Sequence, residues 1–161
     1  MIDALTKSVE DTRAMAAELA LLAVPGDLIV LAGDLGTGKT AFTQGFARGL
    51  GVVEAVTSPA FVLVRSYEGR LQLTHLDVYR LDNLQELVDI GISELLDEGG
   101  VTVIEWGDVV APALPPDFLE IGLALGDADD DRLVTIGSVG PSWPPRAEAL
   151  RRAVGRWTVA A

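Results

Sequence analysis

The sequence predicts an α/β fold: a sheet parallel at its centre, with antiparallel strands added and helices on both faces. Three observations predict it. Short all-apolar runs such as "LIVLAG" (Leu28–Gly33) and "VTVIE" (Val101–Glu105) read as strands buried on both faces, the mark of a parallel sheet. Helical patterns alternate with strands early in the chain, and strands dominate later. The 161 residues are 49% apolar, enough for one core of this size.

The elements follow in order. Ser8 with Asp11 forms a capping-box variant, which opens a helix from Val9 to about Ala23; Pro25-Gly26 ends it. The strand Leu28–Gly33 runs into a glycine-rich turn. Phe42, Phe46 and Leu50 then recur on one helical face, and Gly51 stops that helix. "SPAFVLVRSYEG" enters a strand that reverses near Glu68-Gly69, and "LQLTHLDVY" is its partner. "DNLQELVDIGISELLDEGG" is helical, interrupted at Gly91 and closed by Gly99-Gly100. "VTVIEW" is a further buried strand. "LEIGLAL" and "RLVTIGSV" pair as a hairpin across "GDADDD". "PSWPP" breaks the chain before a last helix from about Arg146 to Trp157, striped by Ala147, Leu150, Val154 and Trp157. Residues 1–140 therefore read as one domain, with the breaker and helix of 141–161 docked on it.

The strongest chemical signal is "GDLGTGKT", Gly33–Thr40, which matches G-x-x-x-x-G-K-[ST] between a buried strand and a helix. Glycines let successive N–H groups turn inward as an anion nest, and the helix N-terminus adds partial positive charge. Lys39 suits the β- and γ-phosphates, and the Thr40 hydroxyl suits Mg²⁺. The fold is thus P-loop NTPase-like. Such a site needs a carboxylate at a neighbouring strand end. Asp77 ends "LQLTHLD" and Glu105 ends "VTVIE", and either reads as a metal ligand or as a solvated strand end. His75, the one histidine, falls on the same side as Asp77 by alternation; it can orient that carboxylate or simply pack. Glu105 and Trp106 both border the nucleotide only if the chain bends after Glu105, which Gly107 would allow.

Other classes are excluded by what is missing. The net charge is −12, from 24 acidic and 12 basic residues, so any service to a nucleic acid should run through other proteins. Residues 141–161 carry +3 and residues 1–140 carry −15. There is no cysteine, so no disulfide or thiol chemistry. The N-terminus is not a signal peptide, and "LALLAVPG" is too short to span a bilayer, which fits a cytoplasmic protein. "DADDD" lacks the glycine, glutamate and helices of an EF-hand and reads as a solvated turn. Neither lysine lies in an N-K-x-D guanine loop, and no L-S-G-G-Q signature occurs. No Lys or Arg lies between Leu81 and Asp131 to furnish a kinase lid.

"GDLGTGKTAFTQGFARGLG", "TSPAFVLVRSYEG", "HLDVYRL" and "VIEWGD", in that order and spacing, resemble the bacterial TsaE family of tRNA threonylcarbamoyladenosine biosynthesis proteins. The resemblance covers most of residues 8–125, weakens to about 140 and does not reach the last twenty. It implies a small ATPase that binds ATP or ADP with Mg²⁺. It also implies two partner proteins of sugar-kinase-like fold, with which the family supports threonylcarbamoyl transfer to the adenosine beside the tRNA anticodon. The family does not perform the transfer itself and meets tRNA only indirectly. By the same resemblance Gly33, Asp34, Leu35, Gly36, Thr37, Gly38, Lys39 and Thr40 hold the phosphates. Thr40, Glu105 and Asp77 serve Mg²⁺; Lys39, Asp77 and Glu105 serve hydrolysis. Thr57 and Ser58 lie in a switch-like segment, Trp106 beside the site, and Asp11, Thr12 and Arg132 near the nucleotide. Ala60 and Ala41 stand where the family commonly has threonines, which touches switching and not nucleotide binding. The alternatives are a nucleotide-gated assembly module and a small-molecule kinase.

Overall fold

Seven strands form a single sheet among the described residues, in the spatial order Ile2–Thr6, Arg132–Val139, Phe118–Leu125, Leu28–Ala32, Val101–Glu105, Leu73–Asp77 and Val64–Tyr67. The computed structural model describes residues 1–57, 64–78, 91–106 and 111–159. The strands are β1 (Ile2–Thr6), β2 (Leu28–Ala32), β3 (Val64–Tyr67), β4 (Leu73–Asp77), β5 (Val101–Glu105), β6 (Phe118–Leu125) and β7 (Arg132–Val139). The helices are α1 (Val9–Ala20), α2 (Lys39–Gly49), α3 (Ile92–Leu96) and α4 (Ala147–Ala153). The centre, β6-β2-β5-β4, is parallel; β7, β1 and β3 add antiparallel strands outside it.

The apolar runs are buried on both faces because alternation sends neighbours to opposite cores. In β2, Ile29 and Leu31 join the core beneath α1 and α2, while Leu28 and Val30 join the one on the other face. β5 divides in the same way, Val101 and Val103 against Ile104. Each such fully buried aliphatic side chain stabilises the fold by about 1.5–3 kcal/mol. Leu95 and Leu96 of α3, with Ala113, pack on the second core.

Ser8 caps α1 by accepting the Asp11 backbone N–H at 2.9 Å. The predicted helix end at Ala23 is moved back to Ala20, because Leu22 and Ala23 bond three residues back and tighten the last turn. Helix α2 buries Phe42, Phe46 and Leu50 as predicted, and Gly51 ends it at φ 81°. The two helices approach closely because a Cβ on Gly45 or Gly49 would come within 2.2 or 2.4 Å of a carbonyl oxygen of α1. The predicted helix over 82–90 lies outside the described residues, and α3 follows Gly91 at φ 77°.

Strand β1 has no counterpart among the predicted elements. It pairs with β7 from Ile2↔Ile136 to Thr6↔Arg132. The predicted last helix is also shorter: 3₁₀ turns at Pro144–Arg146 and Gly155–Trp157 flank α4. Leu150, Val154 and Trp157 still bury the predicted stripe, joined by Trp143. Thr158 then bridges to Ala4, and Val159 N–H donates to Asp3 at 2.9 Å, so the segment covers part of the β1 edge. No helix among the described residues is long and apolar enough to cross a membrane.

Candidate nucleotide site

The glycine-rich turn joins β2 to α2 at the C-terminal end of the parallel strands, where open α/β sheets place ligands. Gly33, Gly36 and Gly38 take φ values of 147°, 80° and 105°, which side chains with a Cβ rarely adopt. Gly38 is the N-cap of α2 and supplies no side-chain cap, so the first N–H groups of the helix turn toward the loop. Gly33 is also tightly packed: a Cβ there would lie 2.4 Å from the Leu123 carbonyl oxygen. Thr37 closes the turn, its hydroxyl donating to Asp34 O at 2.7 Å. Leu35 is exposed at the tip.

Lys39 is buried and folded back onto its own loop. Its Nζ donates to Gly33 O at 2.6 Å and Asp34 O at 2.8 Å. The same ammonium lies 3.9 Å from the centroid of the Trp106 ring, a cation–π contact. Arg132 lies outside the loop and braces it: Nε donates to Thr37 O at 3.1 Å and Nη2 to Gly36 O at 3.3 Å. Its Nη1 holds the acidic hairpin through Asp129 O and Asp131 O, both at 2.8 Å.

The two acidic strand ends meet. Parallel register sets Asp77 opposite Glu105, and Glu105 opposite Leu31 of β2. Glu105 is 3% exposed, while Asp77 is half-buried. The Thr40 hydroxyl lies 3.1 Å from Glu105 Oε1 and 3.3 Å from Oε2. Neighbouring ligands of an octahedral ion at about 2.1 Å sit about 3 Å apart, so these two oxygens match one edge of a Mg²⁺ shell. Among the described residues no group of three or more His, Cys, Asp or Glu could hold a metal. That fits Mg²⁺, which rests on one or two carboxylates and takes its other ligands from phosphate and water. The anion nest and this donor pair suit a nucleotide phosphate with its cation.

His75 turns to Glu105 and not to Asp77, the acid its face allowed it to orient. Its Nε2 lies 2.5 Å from Glu105 Oε2, fully buried. The register explains this: His75 pairs with Val103, and Glu105 is the diagonal neighbour on the same face. Among the described residues His75 Nδ1 has no hydrogen-bond partner. The H-x-D spacing put the ring on the correct face, but the choice between two acids depended on register.

Trp106 itself bends the chain after Glu105, at φ 65°; Gly107 lies outside the described residues. A bulky residue in the left-handed region is a genuine outlier, of order 1–3 kcal/mol. The ring packs against the second core with Ile104, and Lys39 Nζ lies over it.

At the rim, Thr6 is in register with Arg132, and its hydroxyl meets that of Thr12 at 2.6 Å. This links the first turn of α1 to the strand that carries the loop brace. Asp11 is engaged on both oxygens, by Lys7 N–H at 3.0 Å and by the Trp157 indole N–H at 2.7 Å. Nothing in the sequence pointed to Trp157 as its partner. Thr57 is exposed, and the chain before it is tied to α2 by Gln44 Nε2 donating to Val56 O at 3.0 Å. Ser58 lies outside the described residues.

Residues 6–134 match the family model described as "Threonylcarbamoyl adenosine biosynthesis protein TsaE". A Bacillus subtilis (strain 168) protein named "tRNA threonylcarbamoyladenosine biosynthesis protein TsaE" is 40% identical over 148 residues, 91% of this chain and 92% of its own length. A Treponema pallidum (strain Nichols) protein of the same name is 44% identical over 131 residues, 81% of this chain and 96% of its own. A crystal structure of Bacillus subtilis YdiB superposes with a TM-score of 0.78 at 36% identity, covering 97% of each chain.

Proposed function

The chain belongs to the TsaE family of threonylcarbamoyl adenosine biosynthesis proteins, and from this premise we propose that it is a Mg²⁺-dependent ATPase serving threonylcarbamoyl modification of tRNA. The observation that carries the ATPase reading is the Thr40–Glu105 oxygen pair, 3.1 Å apart at the foot of the phosphate loop. Loop N–H groups from Gly33 to Thr40 would bind the phosphates, with Asp34, Leu35 and Thr37 forming the wall. Lys39 would exchange the carbonyls of Gly33 and Asp34 for β- and γ-phosphate oxygens, a short swing because the ammonium already lies against the loop. Bound Mg²⁺ would neutralise phosphate charge. Thr40 and Glu105 would hold it directly, and Asp77, half-buried opposite Glu105, would act through water and orient the attacking molecule. Trp106 would border the nucleotide. Arg132 keeps the loop in shape, and Asp11 and Thr12 line the rim beside it. Thr57 and Ser58 would carry the change of state outward.

On this reading the protein works in the cytoplasm with two partners of sugar-kinase-like fold, which hold the tRNA. The test is ATP turnover by the purified protein, with and without those partners and tRNA. Weak turnover alone, stimulated in the mixture and reduced at least tenfold by Glu105→Ala, is expected. Unchanged turnover in that variant would remove Glu105 from the mechanism. A second reading, a nucleotide-gated assembly module, is favoured by one feature: the Lys39 ammonium lies over Trp106, so its exchange of carbonyls for phosphate would change the surroundings of that ring. A variant that binds but does not hydrolyse ATP, yet sustains repeated rounds of modification, would select it.

A further inference from the structure

We infer that His75 is a positioning residue for Glu105, fixing its carboxylate so that one oxygen is presented beside Thr40 to Mg²⁺. The inference rests on the reading of Glu105 as a metal ligand. A carboxylate that ligates Mg²⁺ only accepts hydrogen bonds, so on that reading His75 Nε2 is the donor at 2.5 Å. That bond engages Oε2, and Oε1 is the oxygen nearer the Thr40 hydroxyl, at 3.1 against 3.3 Å. A glutamate at a strand end has three side-chain torsions, and unguided it would not hold one oxygen at a metal position. Here the guide is rigid, because the ring is wholly buried on β4 and the ladder fixes it against Val103.

A packing role does not account for the ring. Its hydrogen bond goes to the acid, a bond that an apolar side chain of the same size could not make. The polar atom that does bond is the one aimed at the acid. Hydrogen bonds to a ligating carboxylate set ligand orientation, and their loss typically weakens metal binding about 10- to 100-fold. The effect should therefore appear in the metal-dependent part of nucleotide affinity and leave the metal-free part alone.

The experiment measures ADP affinity by calorimetry in saturating MgCl₂ and in EDTA, so that the ratio reports Mg²⁺ coupling without turnover. His75→Leu should retain wild-type affinity in EDTA and lose about 10- to 100-fold of the coupling. His75→Gln, which keeps a donor, should restore most of it. In a Glu105→Gln background, His75→Leu should change the coupling no further; this neutral pair also tests the idea if the single variant does not fold. Wild-type coupling in His75→Leu, an equal loss in both media, or a further loss in the Glu105→Gln background would overturn the inference. Wild-type coupling in Glu105→Gln itself would instead sink the ligand reading beneath it.

Discussion

Arg146→Met tests what the last twenty residues do. Arg146 makes a bidentate pair with Asp27, Nη1 to Oδ2 at 2.7 Å and Nη2 to Oδ1 at 2.8 Å. It also donates to Leu22 O at 3.0 Å and stacks 3.7 Å above the Trp143 ring. The side chains are 18% and 4% exposed, so solvent does little to screen them. Methionine would fill the stem's volume and strand the Asp27 carboxylate, leaving it the Val24 N–H at 2.9 Å. Breaking a buried pair from one side costs about 3–5 kcal/mol. At about 2–4 °C per kcal/mol for a chain of this size, the melting point should fall by roughly 6–20 °C. Asp27→Asn combined with Arg146→Met should recover part of the loss, because no charge is then stranded. Nucleotide affinity of the folded variant should not change. Asp27 precedes β2 and the phosphate loop follows it, so the length of the strand, about 17 Å, separates them. Thermal melts followed by circular dichroism, with calorimetry below the transition, read both quantities. A fall of under 2 °C would refute the claim that this pair clamps the segment. A tenfold loss of affinity at full fold would refute the separation.

Gly33→Ala should lower stability by about 1–3 kcal/mol through overpacking and weaken nucleotide binding at least tenfold, since its Cβ would meet the Leu123 carbonyl at 2.4 Å; wild-type melting and affinity would contradict the packing reading. In a Trp143→Phe/Trp157→Phe background, saturating ATP should change the emission of Trp106 as Lys39 leaves its ring, and Lys39→Ala should abolish the response; emission that ignores nucleotide would break the proposed link. The hydrogen bond from Arg13 holds the Glu10 carboxyl below the ordinary carboxylate range, aided by the charges of Arg13 and Arg48. The pair's small contribution to stability is thus present at neutral pH and fades as pH falls through the lowered value, and Arg13→Gln should move the Glu10 titration upward in an NMR experiment.

The legible parts of this fold were those encoded locally. Glycine spacing, a buried strand before it and a periodic helix after it are short-range patterns, and they placed Gly33–Thr40 correctly between β2 and α2. The acidic strand ends were equally readable, since apolar strands stop visibly at Asp77 and Glu105. Strand β1 was not, because its exposed Asp3 and small Ala4 give no apolar alternation, and its existence depends on β7 more than a hundred residues away. The partner of His75 depended on register between parallel strands, which no local signal encodes. Trp106 shows the same limit. The sequence asked for a bend after Glu105 and allowed it through Gly107, and no local pattern marked Trp106, a bulky residue, as left-handed with its ring over Lys39.

Charge is where sequence and structure say more together than apart. The count of −12 argues against direct tRNA binding by average composition alone. The structure adds where the scarce cations are committed. Lys39 and Arg132 are bound to phosphate-loop carbonyls. Arg70 donates to the carbonyls of Ala20 and Ala23. Arg146 is paired with Asp27, and Arg13 with Glu10 and Gln44. Even the basic C-terminal segment has Arg156 stacked 4.0 Å over Trp157 and Arg152 facing Glu148. A nucleic-acid face needs guanidinium groups that can leave their places for phosphate, and most of these hold the fold or the nucleotide loop in shape. On the proposed function, Lys39 would leave its carbonyls for the phosphates of a nucleotide. This supports the proposal that tRNA reaches the protein through its partners.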